Sequence, residues 1–106
     1  MPIREIPVSL LAARLAAQEP TVIVDVREPW ELDRAALPGV IAIPLGELAE
    51  RVGEIPPGSP VIVMCHHGVR SLSGAAILQA AGRDALSLAG GIHAWALQID
   101  PTVGRY

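Results

Sequence analysis

Phenylalanine and lysine are absent from this chain, and aromatic residues of any kind are scarce. Of the 106 residues, 51% are hydrophobic but only 3% are aromatic, namely Trp30, Trp95 and Tyr106. The core must therefore consist of Val, Ile, Leu and Ala side chains. With eight arginines and a formal net charge of −3, the chain lacks the basic surface that nucleic-acid binding requires. Any anion site must be local, built from one or two arginines and from backbone amides.

Cysteine and long apolar runs are equally scarce. The single cysteine, Cys65, excludes an internal disulfide, and a lone cysteine without export features indicates a reducing compartment. No apolar run approaches the ~20 residues of a membrane span. The N-terminal apolar stretch is interrupted by Arg14 and predicts an amphipathic helix rather than a signal peptide. We therefore expect a soluble, cytoplasmic protein with no membrane partner.

Short β-branched segments alternate with helical patterns along the chain. Four segments predict strands: residues 21–26, 40–44, 61–65 and 85–91. Helices are predicted after Ser9 as N-cap, over residues 45–52 and 92–98, and over residues 71–82 with Gly82 at the end. The first strand has no polar alternation, which is typical of a strand covered on both faces. This alternation predicts an α/β fold with a largely parallel sheet, and the length fits one domain over residues 1–106.

The sequence VIVMCHHGVRS, residues 61–71, joins a strand to a helix through a short loop. In open α/β sheets, ligands bind outside the carboxyl ends of the strands, which is where Cys65 is placed. The amides of the loop and of the first helical turn have no intrahelical acceptors, so they form a site that stabilises an anionic sulfur. Gly68 permits the tight curl, and Arg70 adds a planar cation suited to a sulfonate or phosphate group. The pattern predicts a cysteine nucleophile that attacks an anionic substrate.

Two plainer interpretations of this segment are less favoured. A buried, inert cysteine at a strand end needs neither the glycine nor the arginine that follows. A zinc site is disfavoured because adjacent Cys65, His66 and His67 cannot all turn toward one metal. In addition, His93 is expected to lie alone in the last helix. We therefore expect no metal, and we expect His66 and His67 to form the wall of the loop rather than to transfer protons.

Asp25 and Arg27 lie at the end of the first predicted strand, at the same sheet edge as Cys65. Asp25 could brace Arg70 or the loop amides, and Arg27 could pair with a nearby acid. We favour the structural alternative, in which Asp25 and Arg27 form a cap and a salt bridge that support the site.

The segment CHHGVRS resembles the active-site loop of the rhodaneses, sulfurtransferases that carry sulfane sulfur on a cysteine persulfide. Three other segments are similar to signatures of this family and occur in family order: VIVDVREPWE (residues 22–31), ALPGVIAIPLGEL (residues 36–48) and ALSLAGGIHAW (residues 85–95). The chain departs from the family where Ala35 and Ala36 replace the usual Gly-His pair. This departure leaves the donor preference open.

The resemblance implies a single rhodanese-like domain with a five-stranded, mainly parallel sheet and helices on both faces. It also implies a ping-pong reaction without a cofactor. In this reaction Cys65 takes sulfur from thiosulfate or a persulfide and passes it to cyanide, a thiol or a protein. The substrate-binding groups would be the Arg70 side chain and the loop amides of His66, His67, Gly68, Val69 and Ser71. We expect a monomer or a weak dimer.

Two alternative functions belong to related proteins. Phosphatases and arsenate reductases of a related kind also use a cysteine loop that ends in arginine, but with five intervening residues. Here four residues separate Cys65 from Arg70, and the shorter loop favours a sulfur substrate. Rhodanese-like domains also serve as sulfur-relay or docking modules for cofactor or tRNA sulfuration. The tail IDPTVGRY is similar to tails of such domains fused to activating enzymes, although the complete cysteine loop favours catalysis.

Overall fold

Five strands form one sheet in which all neighbouring strands run parallel. The computed structural model describes residues 2–106. Its strands are β1 (Glu5–Ile6), β2 (Val22–Asp25), β3 (Ile41–Ala42), β4 (Val61–Met64) and β5 (Ala85–Leu88). The strand order is β1-β5-β4-β2-β3, and each pairing is parallel. Because β4 is the central strand, the residue that follows it lies at the middle of the carboxyl edge of the sheet.

Between residues 2 and 106, four α-helices connect successive strands and a fifth follows the last strand. They are α1 (Val8–Ala16), α2 (Pro29–Leu32), α3 (Leu48–Arg51), α4 (Arg70–Ala80) and α5 (Gly91–Gln98). Short 3₁₀ turns cover Leu45–Glu47, Val52–Glu54 and Pro101–Val103. Among residues 2–106, no helix is both long and apolar enough to cross a bilayer.

The side chains of β4 are buried on both faces of the sheet. Val61 and Val63 belong to one apolar cluster, and Ile62 and Met64 belong to another. The first cluster also contains residues of α3 and α4, namely Leu48, Ala75 and Leu78. The second contains residues of α1 and α5, namely Leu11, Ile92 and Trp95. Helices therefore cover both faces, as the uninterrupted apolar strand pattern predicts, and the α/β fold class is confirmed.

Helix α1 begins two residues earlier than the sequence suggests. Pro7 occupies the N-cap in an extended conformation, and its carbonyl oxygen accepts hydrogen bonds from the amides of Leu10 and Leu11. The prediction that Ser9 caps this helix is therefore wrong, because Ser9 lies inside the first turn. At the end of α4, Gly82 follows the C-cap with a φ of 83°, as predicted.

Three other elements differ from the sequence prediction. The helix predicted over residues 45–52 is divided into a 3₁₀ turn, the single turn of α3 and a second 3₁₀ turn. The strand predicted over residues 85–91 ends at Leu88, because Gly90 adopts a left-handed conformation and caps α5. Strand β1 was not predicted, since two residues with one exposed glutamate show no recognisable pattern.

Candidate active site

Cys65 follows β4 and lies beneath the loop that leads into α4, with 1% of its surface exposed. The backbone amides of Gly68 and Ser71 donate to its Sγ atom over 3.1 and 3.4 Å. The thiol in turn lies 3.4 Å from the hydroxyl oxygen of Ser71, which is 2.7 Å from the hydroxyl of Ser87 on β5. One amide of the loop and one of the first turn of α4 therefore donate to the sulfur.

The loop keeps this shape because α5 lies directly against its backbone. The amides of Ile92 and His93 donate to the carbonyl oxygens of Cys65 and His66 over 2.9 and 3.0 Å. These bonds turn the first two carbonyls of the loop toward α5. Gly91 makes the approach possible, because a Cβ atom there would overlap both carbonyl oxygens.

Gly68 allows the loop to curl against the turn after β5. It adopts a φ of 93°, and a Cβ atom on it would lie 2.8 Å from the amide nitrogen of Gly90. Positive φ and lack of space together require glycine at this position. The loop and the turn after β5 thus approach each other at a glycine on both sides of the contact.

Arg70 begins α4 and forms an ion pair with Glu31 of α2. Its two terminal nitrogens donate to the two carboxylate oxygens, each over 2.6 Å. Glu31 is buried, and its carboxylate also accepts a hydrogen bond from the backbone amide of Glu28, the N-cap residue of α2, over 2.8 Å. The hydrogen bonds from Arg70 lower the pKa of Glu31 from its ordinary 4.5 to about 2, although burial opposes the shift. The same pair raises the pKa of Arg70, so both groups remain charged.

Asp25 and Arg27 form a separate ion pair that is completely buried. The Nε atom of Arg27 donates to Asp25 over 3.0 Å, and its Nη2 atom donates over 2.7 Å. A further bond from Nη2 reaches the carbonyl of Ala35, over 2.8 Å. Burial alone lowers the pKa of Arg27, but the hydrogen bonds with Asp25 and Tyr106 outweigh it and raise the pKa. The acid that pairs with Arg70 is therefore Glu31, whereas Asp25 pairs with Arg27.

Tyr106 joins the two ion pairs. Its hydroxyl accepts from Nη1 of Arg27 over 3.0 Å and donates to the carboxylate of Glu31 over 2.9 Å. Burial raises the pKa of Tyr106, and Glu31 adds to this shift while Arg27 opposes it. A chain of hydrogen bonds therefore runs from Asp25 through Arg27, Tyr106 and Glu31 to Arg70.

Neither Glu31 nor Tyr106 is among the site residues that the sequence predicts. Glu31 lies within the segment VIVDVREPWE, four residues after Arg27, so its position near the site edge could have been inferred. Tyr106 is 79 residues from Arg27, and no local pattern indicates their contact.

The three histidines meet at the outer side of the loop. The ring of His66 stacks between Tyr106, at 3.8 Å between ring centroids, and His67, at 3.9 Å. His93 lies 4.8 Å from His67 by the same measure. The expectation that His93 is isolated is therefore wrong, because the contact of α5 with the loop brings it to the other two. Burial lowers the pKa of His66, and the neighbouring His67 and His93 lower it further.

Two exposed apolar side chains flank the loop. Val69 occupies the N-cap of α4 with 72% of its surface exposed. Trp30 of α2 is 59% exposed and meets the ring of Tyr106 edge-on, at 6.0 Å between centroids. The backbone of Val69 thus belongs to the loop, while its side chain points away from the buried sulfur.

The fold and the loop together define a parallel α/β domain with a cysteine at the carboxyl edge of its central strand, and two backbone amides donate to the sulfur of this cysteine. A family model described as "Rhodanese-like domain" matches residues 8–98. The chain belongs to the rhodanese-like domain family.

Known proteins resemble this chain over most of its length. It is 38% identical over 96 residues to a sulfurtransferase from Allochromatium vinosum, covering 89% of both chains. It is 32% identical over 92 residues to the thiosulfate sulfurtransferase GlpE of Pseudoalteromonas translucida, covering 86% of this chain and 88% of the relative. The crystal structure of a rhodanese-like domain protein from Staphylococcus aureus superposes with a TM-score of 0.82 at 30% identity, covering 88% and 91% of the two chains. Other curated relatives are longer, and this chain spans 51% of one and 22% of another.

Proposed function

We propose that this protein is a sulfurtransferase in which Cys65 carries sulfane sulfur from a donor to a thiophilic acceptor. The observation that supports this most strongly is the convergence of the Gly68 and Ser71 amides on the Cys65 sulfur, at 3.1 and 3.4 Å. Amide donors directed at a sulfur stabilise its anion, and the anionic sulfur of Cys65 is the nucleophile that sulfur transfer requires. The names of two relatives, both sulfurtransferases, agree with this proposal.

In the first half-reaction, the anionic sulfur of Cys65 attacks the outer sulfur of a donor such as thiosulfate. A new S–S bond forms to Cys65, the S–S bond of thiosulfate breaks, and its electron pair leaves with sulfite. The terminal sulfur of the resulting persulfide carries the negative charge. The loop amides from His66 to Ser71 would bind this charge, as they would bind the donor.

In the second half-reaction, an acceptor removes the terminal sulfur. Cyanide attacks that sulfur to form thiocyanate, and the electron pair of the broken S–S bond returns to Cys65. A thiol or a protein thiolate would act in the same way in the cell. The reducing cytoplasm suits this chemistry, because the single cysteine must remain a free thiol between turnovers.

Arg70 would orient the anionic donor. Glu31 accepts one hydrogen bond from each of the two terminal nitrogens of Arg70. The remaining N–H groups of the guanidinium are left to bind a sulfonate. The Arg70 side chain is partly exposed, whereas Glu31 is buried beneath it. The pair therefore presents a cation of fixed orientation at the loop. Asp25 and Arg27 would support this arrangement through Tyr106.

A protein acceptor would have to approach over the loop surface, because Cys65 itself is buried. Val69 and Trp30 provide exposed apolar surface beside the loop. A sulfur-relay role is therefore a second candidate, compatible with catalysis at the same cysteine. Phosphatase activity is less favoured, since the loop has four residues between Cys65 and Arg70.

Mass spectrometry of the intact protein after incubation with thiosulfate tests the proposal. We expect one added sulfur atom on the wild type, its removal by cyanide, and no addition to Cys65→Ser. Circular dichroism of Cys65→Ser should match the wild type, because the substitution replaces only one atom of a small buried side chain. Absence of the adduct from a protein whose Cys65 reacts with an alkylating reagent would contradict sulfur transfer. Phosphatase turnover well above sulfur-transfer turnover would also contradict it.

A further inference from the structure

The proposed sulfur transfer leaves the side chains of three neighbouring histidines without a role. One ring nitrogen from each of His66, His67 and His93 lies within 4.8 Å of the other two. These are the three histidines of the chain, although they come from two elements that are distant in sequence. Such a concentration of imidazoles is the kind of donor set that binds transition metals.

The backbone holds two of these histidines at a fixed separation. The amide of His93 donates to the carbonyl oxygen of His66 over 3.0 Å. The amide of Ile92 donates to the carbonyl oxygen of Cys65 over 2.9 Å. Gly91 lets the two backbones approach so closely that no other residue would fit. The proximity of His66 and His93 therefore follows from the packing of the fold and not from the choice of exposed rotamers.

The ring of His66 is itself held in place. It stacks on Tyr106 with an interplanar angle of 10° and on the opposite side against His67 with an angle of 28°. Tyr106 is anchored in turn by its hydrogen bonds to Arg27 and Glu31. His67 is exposed, so its ring is free to adjust.

Each ring also offers the kind of atom that a metal needs. Imidazole binds a metal through the lone pair of a ring nitrogen, and each of the three histidines contributes one such nitrogen to the cluster.

We infer that His66, His67 and His93 bind one divalent transition-metal ion of the Zn²⁺ class, with the fourth coordination position open to solvent. Zn–N bonds of about 2.0–2.1 Å in tetrahedral geometry place the nitrogens roughly 3.4 Å apart, so nitrogens that now lie up to 4.8 Å apart must approach by up to about 1.4 Å. Rotation of the exposed His67 supplies most of this movement. The expectation of no metal depended on a site that would include adjacent Cys65, His66 and His67, and on an isolated His93. The proposed site omits Cys65 and includes His93, and it does not depend on sulfur transfer.

Calorimetric titration with Zn²⁺ tests this inference. The titration uses untagged full-length protein carrying Cys65→Ser, so that the thiol cannot contribute a ligand. We expect one ion per chain, and we expect His67→Asn or His93→Asn to weaken binding at least ~10-fold, because each removes one of three metal bonds. Gln98→Ala, an exposed change on the same helix as His93, is the matched control and should bind as the parent does.

Thermal unfolding provides a second readout on the same proteins. Zn²⁺ should raise the melting temperature of the parent and of Gln98→Ala but not that of His93→Asn, since a ligand that binds only the folded state stabilises it. Circular dichroism without metal establishes that each variant is folded. The inference is overturned if the parent binds no Zn²⁺, or if His67→Asn and His93→Asn bind it as tightly as the parent.

Discussion

Both terminal nitrogens of Arg70 contact the buried carboxylate of Glu31 over 2.6 Å, so the cation of the cysteine loop is paired before any substrate arrives. The contact spans 39 residues and ties α2 to the first turn of α4. A planar guanidinium held by two parallel bonds has a defined orientation, which a single contact would not give.

Replacement of Glu31 by Gln tests the importance of this pairing. We expect the free energy of unfolding to fall by about 2 to 3 kcal/mol, because two charge-assisted bonds are lost while Arg70 can still reach solvent. We expect kcat/KM for thiosulfate to fall about 10-fold, because the guanidinium loses its orientation. Urea unfolding and steady-state kinetics measure the two effects. Unchanged kinetics at reduced stability would assign Glu31 to the fold alone.

Arg70 should contribute mainly to donor binding. Arg70→Ala removes the cation that faces an anionic donor, so KM for thiosulfate should rise about 10- to 100-fold with a smaller change in kcat. Arg70→Lys retains the charge but lacks the planar guanidinium, so its KM should lie between those of the wild type and Arg70→Ala. Thiocyanate formation over a range of thiosulfate concentrations separates KM from kcat. A fall in kcat at constant KM would contradict a binding role.

The Glu31 carboxylate predicts a loss of stability in acid. Its pKa is about 2 in the folded protein and near 4.5 when unfolded. The stabilisation is complete above the unfolded value. As the pH falls from 4.5 toward 2, the unfolded chain takes up the proton first and roughly 3 kcal/mol is lost. Urea unfolding at a series of pH values measures this slope, and Glu31→Gln is the control, with a shallower slope in the same window.

The buried pair of Asp25 and Arg27 should matter more for stability than for turnover. Asp25→Asn leaves the charge of a completely buried guanidinium uncompensated, so we expect a loss of about 3 to 5 kcal/mol. Asp84→Asn is the matched control, because its ion pair with Arg4 is exposed and should contribute at most about 1 kcal/mol. Kinetics at a temperature where both variants are folded complete the comparison. A larger effect of Asp25→Asn on turnover than on stability would place Asp25 in the site.

The features that could be predicted from the sequence are those determined by residues near one another in the chain. Apolar strands without polar alternation require cover on both faces, and this requirement together with the alternation of strands and helices indicates the parallel α/β architecture. The loop after Cys65 could be predicted for the same reason, because Gly68 and Arg70 follow Cys65 within five residues of the chain. The family resemblance implies a fifth strand, but the two residues of β1 show no pattern that locates it.

The contacts around the loop could not be predicted in the same way. Asp25, Glu28 and Glu31 all lie near the sheet edge, and which of them meets Arg70 depends on how α2 packs. The position of Tyr106 beside Arg27, across 79 residues, depends on the path of the tail over the domain. His93 joins the other histidines because of a backbone approach at Gly91, which leaves no periodic pattern in the sequence.

The hydroxyls of Ser71 and Ser87 lie 2.7 Å apart in the buried wall behind the sulfur, and either one can donate to the other. A hydroxyl has one proton and two lone pairs, so it changes from acceptor to donor by rotating about a single bond. When Cys65 is a thiol, the hydroxyl oxygen of Ser71 accepts a hydrogen bond from the S–H group, and the hydroxyl proton of Ser71 points toward Ser87. When the sulfur is negatively charged, the two protons reverse direction and Ser71 donates to the sulfur. Rotation of these two hydroxyls therefore accommodates both the neutral and the anionic sulfur without movement of the backbone.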